Sequence, residues 1–174
     1  LDFGGGEVTK EFQPNSYLVV NVNTTTIDDA DIPQVRRSIL DAVARKRGLK
    51  IVEFAQMSGR HKSLFQDGDP IIRLSNLNLK TQLNLLLNCR AYFGSSLHCA
   101  ITALSNGKAA GLIHKKPLTK FQDLFGQLML IDKFFSSDWN DADCIINNVL
   151  DFEKGIGLKL YANYMRSQFD VRMD

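Results

Sequence analysis

Short apolar, β-branched runs alternate along this chain with longer stretches in which apolar residues recur every three or four positions. Tyr17 to Asn23 (YLVVNVN) is of the first kind and predicts a buried strand. Thr24 to Asp31 is polar and predicts a loop. Helical spacing then begins. Asp31 stands at a capping position, Pro33 falls in the first turn, and Val35, Ile39, Ala42 and Val43 share one face. This helix is expected to reach about Lys46, with Gly48 ending it. Leu49 to Phe54 predicts a second strand and Pro70 to Leu74 a third, with polar Ala55 to Asp69 between them. Leu79 to Asn88 predicts a helix carrying Leu83, Leu86 and Leu87 inward, and Arg90 to Phe93 a fourth strand.

Gly94-Ser95-Ser96 then opens a helix through Leu97, Ala100, Ile101 and Leu104, closed by Asn106-Gly107. Ala109 to Ile113 is a fifth strand. A lysine-bearing loop, a helix from about Thr119 to Phe125 and an apolar run from Leu128 to Ile131 are expected next. Asp138 to about Arg172 reads as helical, with a break near Gly155 or Gly157. Repeated alternation of strand and helix specifies an α/β fold, a Rossmann-like parallel sheet with helices on both faces, followed by a helical C-terminal tail. The expected organisation is a lead-in or linker over 1–15, the sheet domain over 16–135, and a tail over 136–174 that packs on the domain or a partner.

Composition adds boundaries to this picture. The 174 residues suit one domain, with 44% hydrophobic and 23% charged residues. Lys and Arg number 21 against 19 Asp and Glu, a net charge of +2, which supplies no general attraction to nucleic acid. No apolar run approaches the roughly 20 residues of a membrane-spanning helix. Three cysteines without a CxxC pair predict neither a disulfide framework nor a thiolate metal site, and fit a reduced, cytoplasmic setting as small core residues. Cys99 adjoins His98, but neighbours on a helix point about 100° apart, so no thiol–imidazole pair is expected. The glycine-rich start, beginning at Leu1 rather than Met, reads as a cut in a longer chain.

In an open parallel sheet, ligands bind beyond the carboxyl ends of the strands. Four loops qualify: Asn21 to Asp31, Gln56 to Asp69, Gly94 to His98, and His114 to Lys120. The third carries the most chemistry. A glycine and two serines at a helix start offer backbone N–H groups to an anion, Gly94 admits close approach, and His98 in the first turn can donate a hydrogen bond or act as a general acid. The blander alternative is that Ser95 or Ser96 only caps the helix and His98 is packed. Lys116 and Lys120 in the fourth loop can hold a phosphate or carboxylate if strands four and five are neighbours. Elsewhere, Arg36, Arg37, Arg45, Lys46 and Arg47 form a basic helix expected to face solvent, with no stacking aromatics beside it. Asp138, Asp141 and Asp143 lack calcium-loop spacing and read as caps, so no metal is expected.

The stretch Phe93-Gly94-Ser95-Ser96-Leu97-His98-Cys99-Ala100-Ile101-Thr102-Ala103-Leu104-Ser105-Asn106-Gly107-Lys108 resembles the hallmark segment of the polysaccharide pyruvyl transferase family. Members carry a similar Ser-x-x-His turn, an apolar helix, a glycine, a strand and then a lysine-containing loop. The resemblance spans roughly Tyr17 to Ile131. It implies two Rossmann-like halves of the GT-B type, of which this chain is similar to the C-terminal one. It further implies transfer of a pyruvyl group from phosphoenolpyruvate to a saccharide acceptor of a cell-surface or exopolysaccharide, with no resident cofactor. His98 then corresponds to a general acid, and Lys116 or Lys120 to an anion-binding lysine. Members carry Arg two residues before the histidine, where this chain has Ser96, which resembles a divergent branch.

Two other readings stand beside it. One is the nucleotide-sugar-binding half of a GT-B glycosyltransferase. The other is a non-catalytic binding or assembly module that kept the fold. The expected partners are a small-molecule donor and the acceptor, a missing N-terminal domain, and no nucleic acid. A homodimer would cover the apolar tail residues Leu150, Ile156, Leu158, Leu160, Tyr161, Tyr164 and Met165.

Overall fold

A computed structural model describes residues 12–46, 48–54, 63–75, 77–114 and 134–152. They form strands β1 (Tyr17–Asn21), β2 (Lys50–Phe54), β3 (Ile71–Leu74), β4 (Ala91–Gly94), β5 (Ala109–Ile113) and β6 (Phe135–Ser136). The helices are α1 (Ile32–Arg45), α2 (Leu79–Asn88), α3 (Leu97–Ser105) and α4 (Ala142–Asp151). All neighbouring strands run parallel, in the order β3-β2-β1-β4-β5-β6. The chain therefore winds outward from β1 to β3, crosses over through α2, and winds outward again from β4 to β6.

Every residue of β1, β4 and β5 is buried, because these central strands are covered on both faces. Both α3 and α4 pack on β4 and β5, so they must lie on opposite faces. The helix α1 joins α4 and α2 joins α3, completing two helical layers. Right-handed crossovers produce this division, since β1-α1-β2 and β4-α3-β5 move in opposite directions across the sheet.

The expected apolar face of α1 is the buried one: Val35, Ile39, Ala42 and Val43. Asp31 occupies the cap position, but its side chain makes no capping bond. On α2 the inward stripe is Thr81, Leu85 and Leu86 rather than Leu83, Leu86 and Leu87. Five leucines crowd this helix, and Leu83 is left 37% exposed. Two of the three cysteines are core residues, Cys89 and Cys99, whereas Cys144 is exposed. Burial pushes the Cys89 thiol pKa up to about 12.

The strand β6 has no counterpart among the expected elements. Its two residues lack a periodicity, and only pairing with Leu112 and Ile113 defines them. After it, α4 lies on the sheet beside α1, burying Ala142, Ile145, Ile146, Val149 and Leu150. Leu150 is thus covered within its own chain, not held for a dimer. The helix at Thr119 to Phe125, the run at Leu128 to Ile131 and the other apolar tail residues lie outside the described residues.

Close approach of α4 depends on Gly111. A Cβ there would meet the Ile145 Cγ2 at 2.6 Å and the Val149 Cγ1 at 3.2 Å. Both are branched methyls held by their own backbone, so the helix itself would have to move. Gly111→Ala is expected to destabilise the fold by about 1–3 kcal/mol by overpacking. Urea unfolding measures this, and an unchanged midpoint would contradict the packing account.

Arg36 and Arg45 of α1, with Lys46 at its C-cap, tie the helix to its surroundings, while Arg37 faces solvent as expected. Arg36 forms a two-pronged pair with Asp69, whose side chain is 6% exposed, and Arg45 reaches Asp143 on α4 at 2.9 Å. Lys46 pairs with Asp151. The hydrogen bond from Arg36 holds the Asp69 pKa below its ordinary value. That contribution to stability is present above the ordinary carboxylate pKa and is lost as the pH falls through the depressed one. The stability advantage over Asp69→Asn should therefore be full at pH 7 and close in acid. A gap independent of pH in denaturant titrations would show that the charge of Asp69 is not what matters.

Candidate functional site

The winding direction reverses between β1 and β4, and in open parallel sheets such a reversal is where ligands bind, beyond the carboxyl ends of the strands. Asn21, the last residue of β1, stands in register with Gly94, the last of β4. The two following loops stay joined. Ser95 N–H donates to the Asn21 carbonyl oxygen at 2.9 Å, and Asn23 N–H donates to Ser95 Oγ at 2.6 Å. The Asn21 side chain, 7% exposed, donates from Nδ2 to the Phe54 carbonyl at 2.7 Å, tying in the end of β2. A polar residue closing an apolar strand gives no hint of this junction in the sequence, where Asn21 was expected in the first strand and at the start of the loop that follows it.

Beyond the junction, Asn23 shapes the first loop. Its Oδ1 accepts from Thr25 N–H at 3.0 Å and from Thr25 Oγ1 at 2.6 Å, setting a 3-10 turn over Thr24–Thr26. Opposite it, Ser96 caps α3 by accepting from Cys99 N–H at 3.5 Å. Leu97 and His98 supply the next first-turn N–H groups, which have no acceptor among the described residues. The positive end of the α3 dipole adds to them, so the turn can receive an anion.

The serines and glycine of this turn are each explained by local structure. Ser95 is a link between loops and Ser96 is a cap. Gly94 was expected to admit a ligand to the backbone. A Cβ there would collide with the Asn21 carbonyl oxygen and the Tyr92 hydroxyl, and would lie 2.8 Å from the Asn21 carbonyl carbon, so the fold itself requires the glycine. Its missing side chain is filled by the protein itself. His98 is exposed at the start of α3, while Cys99 is buried beneath it, so the two do not form a pair. Tyr92 lies behind the turn, and burial drives its phenol pKa well above its ordinary value.

The strand β5 does neighbour β4, so the loop leaving Ile113 departs beside this turn. His114 N–H donates to the Ser136 carbonyl at 3.2 Å, fixing the start of that loop against β6. Lys116 and Lys120 lie outside the described residues. Among the described residues, no cluster of three or more His, Cys, Asp or Glu side chains gathers to hold a metal. No helix there is long and apolar enough to cross a membrane.

No family model matches the chain, and no curated protein matches it. Solved structures do. The chain is similar to a UDP-GlcNAc 2-epimerase from Methanocaldococcus jannaschii, in complex with UDP-GlcNAc and UDP. The TM-score is 0.61 at 8% identity, over 95% of this chain and 49% of that one. It is similar to MnaA of S. aureus, solved with UDP, at TM-score 0.54 and 9% identity, over 100% of this chain and 50% of that one. The glycosyltransferase SnogD from Streptomyces nogalater matches at TM-score 0.56 and 16% identity, over 90% of this chain and 39% of that one. The chain therefore spans half or less of the length of these neighbours. At such identities the likeness is one of fold: a Rossmann-like half of the GT-B type.

Proposed function

We propose that this chain is the nucleotide-sugar-binding half of a GT-B-type enzyme, with the diphosphate of a nucleoside diphosphate sugar seated in the crevice between β1 and β4. The observation that carries this reading is the reversal of strand order between β1 and β4, with the open N–H groups of Leu97 and His98 at the start of α3 beside it. Two structural neighbours were solved with UDP, and the chain spans about half of each. In this reading the second lobe closes over the sugar, and the α3 N-terminus receives the diphosphate. His98, exposed at that turn, donates a hydrogen bond to a phosphate oxygen or the leaving group.

Pyruvyl transfer from phosphoenolpyruvate is the second reading. It is favoured by the exposed placement of His98 one residue into an anion-ready turn, as the family resemblance implies. The two readings differ in the donor. UDP and phosphoenolpyruvate are titrated separately against the chain and its His98→Ala variant, with binding heat and melting temperature as readouts. Nucleotide-sugar binding predicts that UDP stabilises the chain, by about 2.7 kcal/mol at a hundredfold excess over Kd. It also predicts that phosphoenolpyruvate does not, and that His98→Ala weakens UDP. Stabilisation by phosphoenolpyruvate alone would overturn this in favour of pyruvyl transfer. Silence from both would favour a non-catalytic module.

A further inference from the structure

We propose that Tyr92 is a positioning residue that locks the α3 N-terminal turn into its ligand-receiving shape from the protein interior; this rests on the site assignment above. Tyr92 and Gly94 are two residues apart on β4, so their side chains fall on the same face of the sheet. The Tyr92 ring is fully buried, and its hydroxyl occupies the space that a Cβ on Gly94 would take. From there the hydroxyl accepts from Ser96 N–H at 3.2 Å and donates to the Ser96 carbonyl oxygen at 3.4 Å.

One phenol thus engages both backbone groups of Ser96, the cap of α3, and also bonds the Cys99 side chain in the first turn. Ser95 is fixed separately by the Asn21 carbonyl and Asn23 N–H. With Ser95 and Ser96 both held, the chain direction entering Leu97 and His98 is set before any ligand arrives. Preorganised donors bind more tightly than donors that must first be ordered. Without the hydroxyl, the buried Ser96 N–H loses its acceptor, and the turn gains conformations that aim Leu97 and His98 N–H elsewhere. The tyrosine never touches the ligand. It acts through Ser96.

A control exists within the same fold. Tyr17 is equally buried, and its hydroxyl donates to the Leu85 carbonyl at 2.8 Å, at the opposite end of the sheet. Tyr92→Phe removes two buried phenol bonds to the Ser96 backbone and Tyr17→Phe one bond, so both should lower the melting temperature. Only Tyr92→Phe should weaken UDP binding, by about tenfold, with Tyr17→Phe unchanged. Equal affinity in both variants, or an equal loss, would overturn the lock.

Native-state amide exchange of the unsubstituted chain without ligand gives a second test that needs neither a folded variant nor UDP. Ser96 N–H should exchange far more slowly than Leu97 and His98 N–H. Equal rates would also overturn the lock. If the unsubstituted chain fails to bind UDP, the functional reading falls, while the exchange rates still decide the role of Tyr92.

Discussion

Where β1 ends, one residue holds three segments together. The Asn21 carbonyl takes the Ser95 N–H, its side-chain amide holds the Phe54 carbonyl, and its backbone lies where a Cβ on residue 94 would have to go. Gly94 is therefore required by the junction before any ligand is considered. Because Asn21 is buried, each of these bonds is made in a medium where leaving a partner unmade costs about 1–3 kcal/mol. At the strand-order reversal these bonds, with that from Asn23 N–H to Ser95 Oγ, hold the loops after β1 and β4 together. Without that constraint, parallel strands would still pair, but the donors at the start of α3 would have no fixed address.

The rest of the fold serves this arrangement by rigidity. The central strands are buried on both faces, and Gly111 lets α4 sit close on β5. The pairs of Arg45 with Asp143 and of Lys46 with Asp151 join α1 to α4, although exposed pairs of this kind add little stability. They align the layer rather than hold it. Hydrophobic burial supplies the strength, and the polar junctions at the strand ends supply the geometry.

Much of this order was legible in the sequence. Compact apolar runs with helical stretches between them located five strands, and the buried face of α1 matched its periodicity residue for residue. The misses share a cause: they depend on partners far along the chain. The strand β6 exists only through pairing with β5. The inward stripe of α2 was ambiguous because leucine stands on several of its faces, and tertiary packing chose Leu85 and Leu86. At the site, the start of α3 and its serine cap could be read from Gly94, Ser95 and Ser96. Their other structural duties could not, since these are assigned by Asn21, Asn23 and Tyr92 across the sheet. The fold expected from the sequence, a Rossmann-like half of the GT-B type, is the one observed.

A binding crevice at the reversal between β1 and β4 is the claim on which the functional account turns. The most direct measurement is a map of backbone amide chemical-shift changes as UDP is added to the chain. The account predicts the largest changes at Leu97 and His98, with further changes across Asn23 to Ile27 and little at the amino ends of the strands. Changes centred instead on the opposite end of the sheet, around Arg45, Lys46 and Arg90, would contradict it.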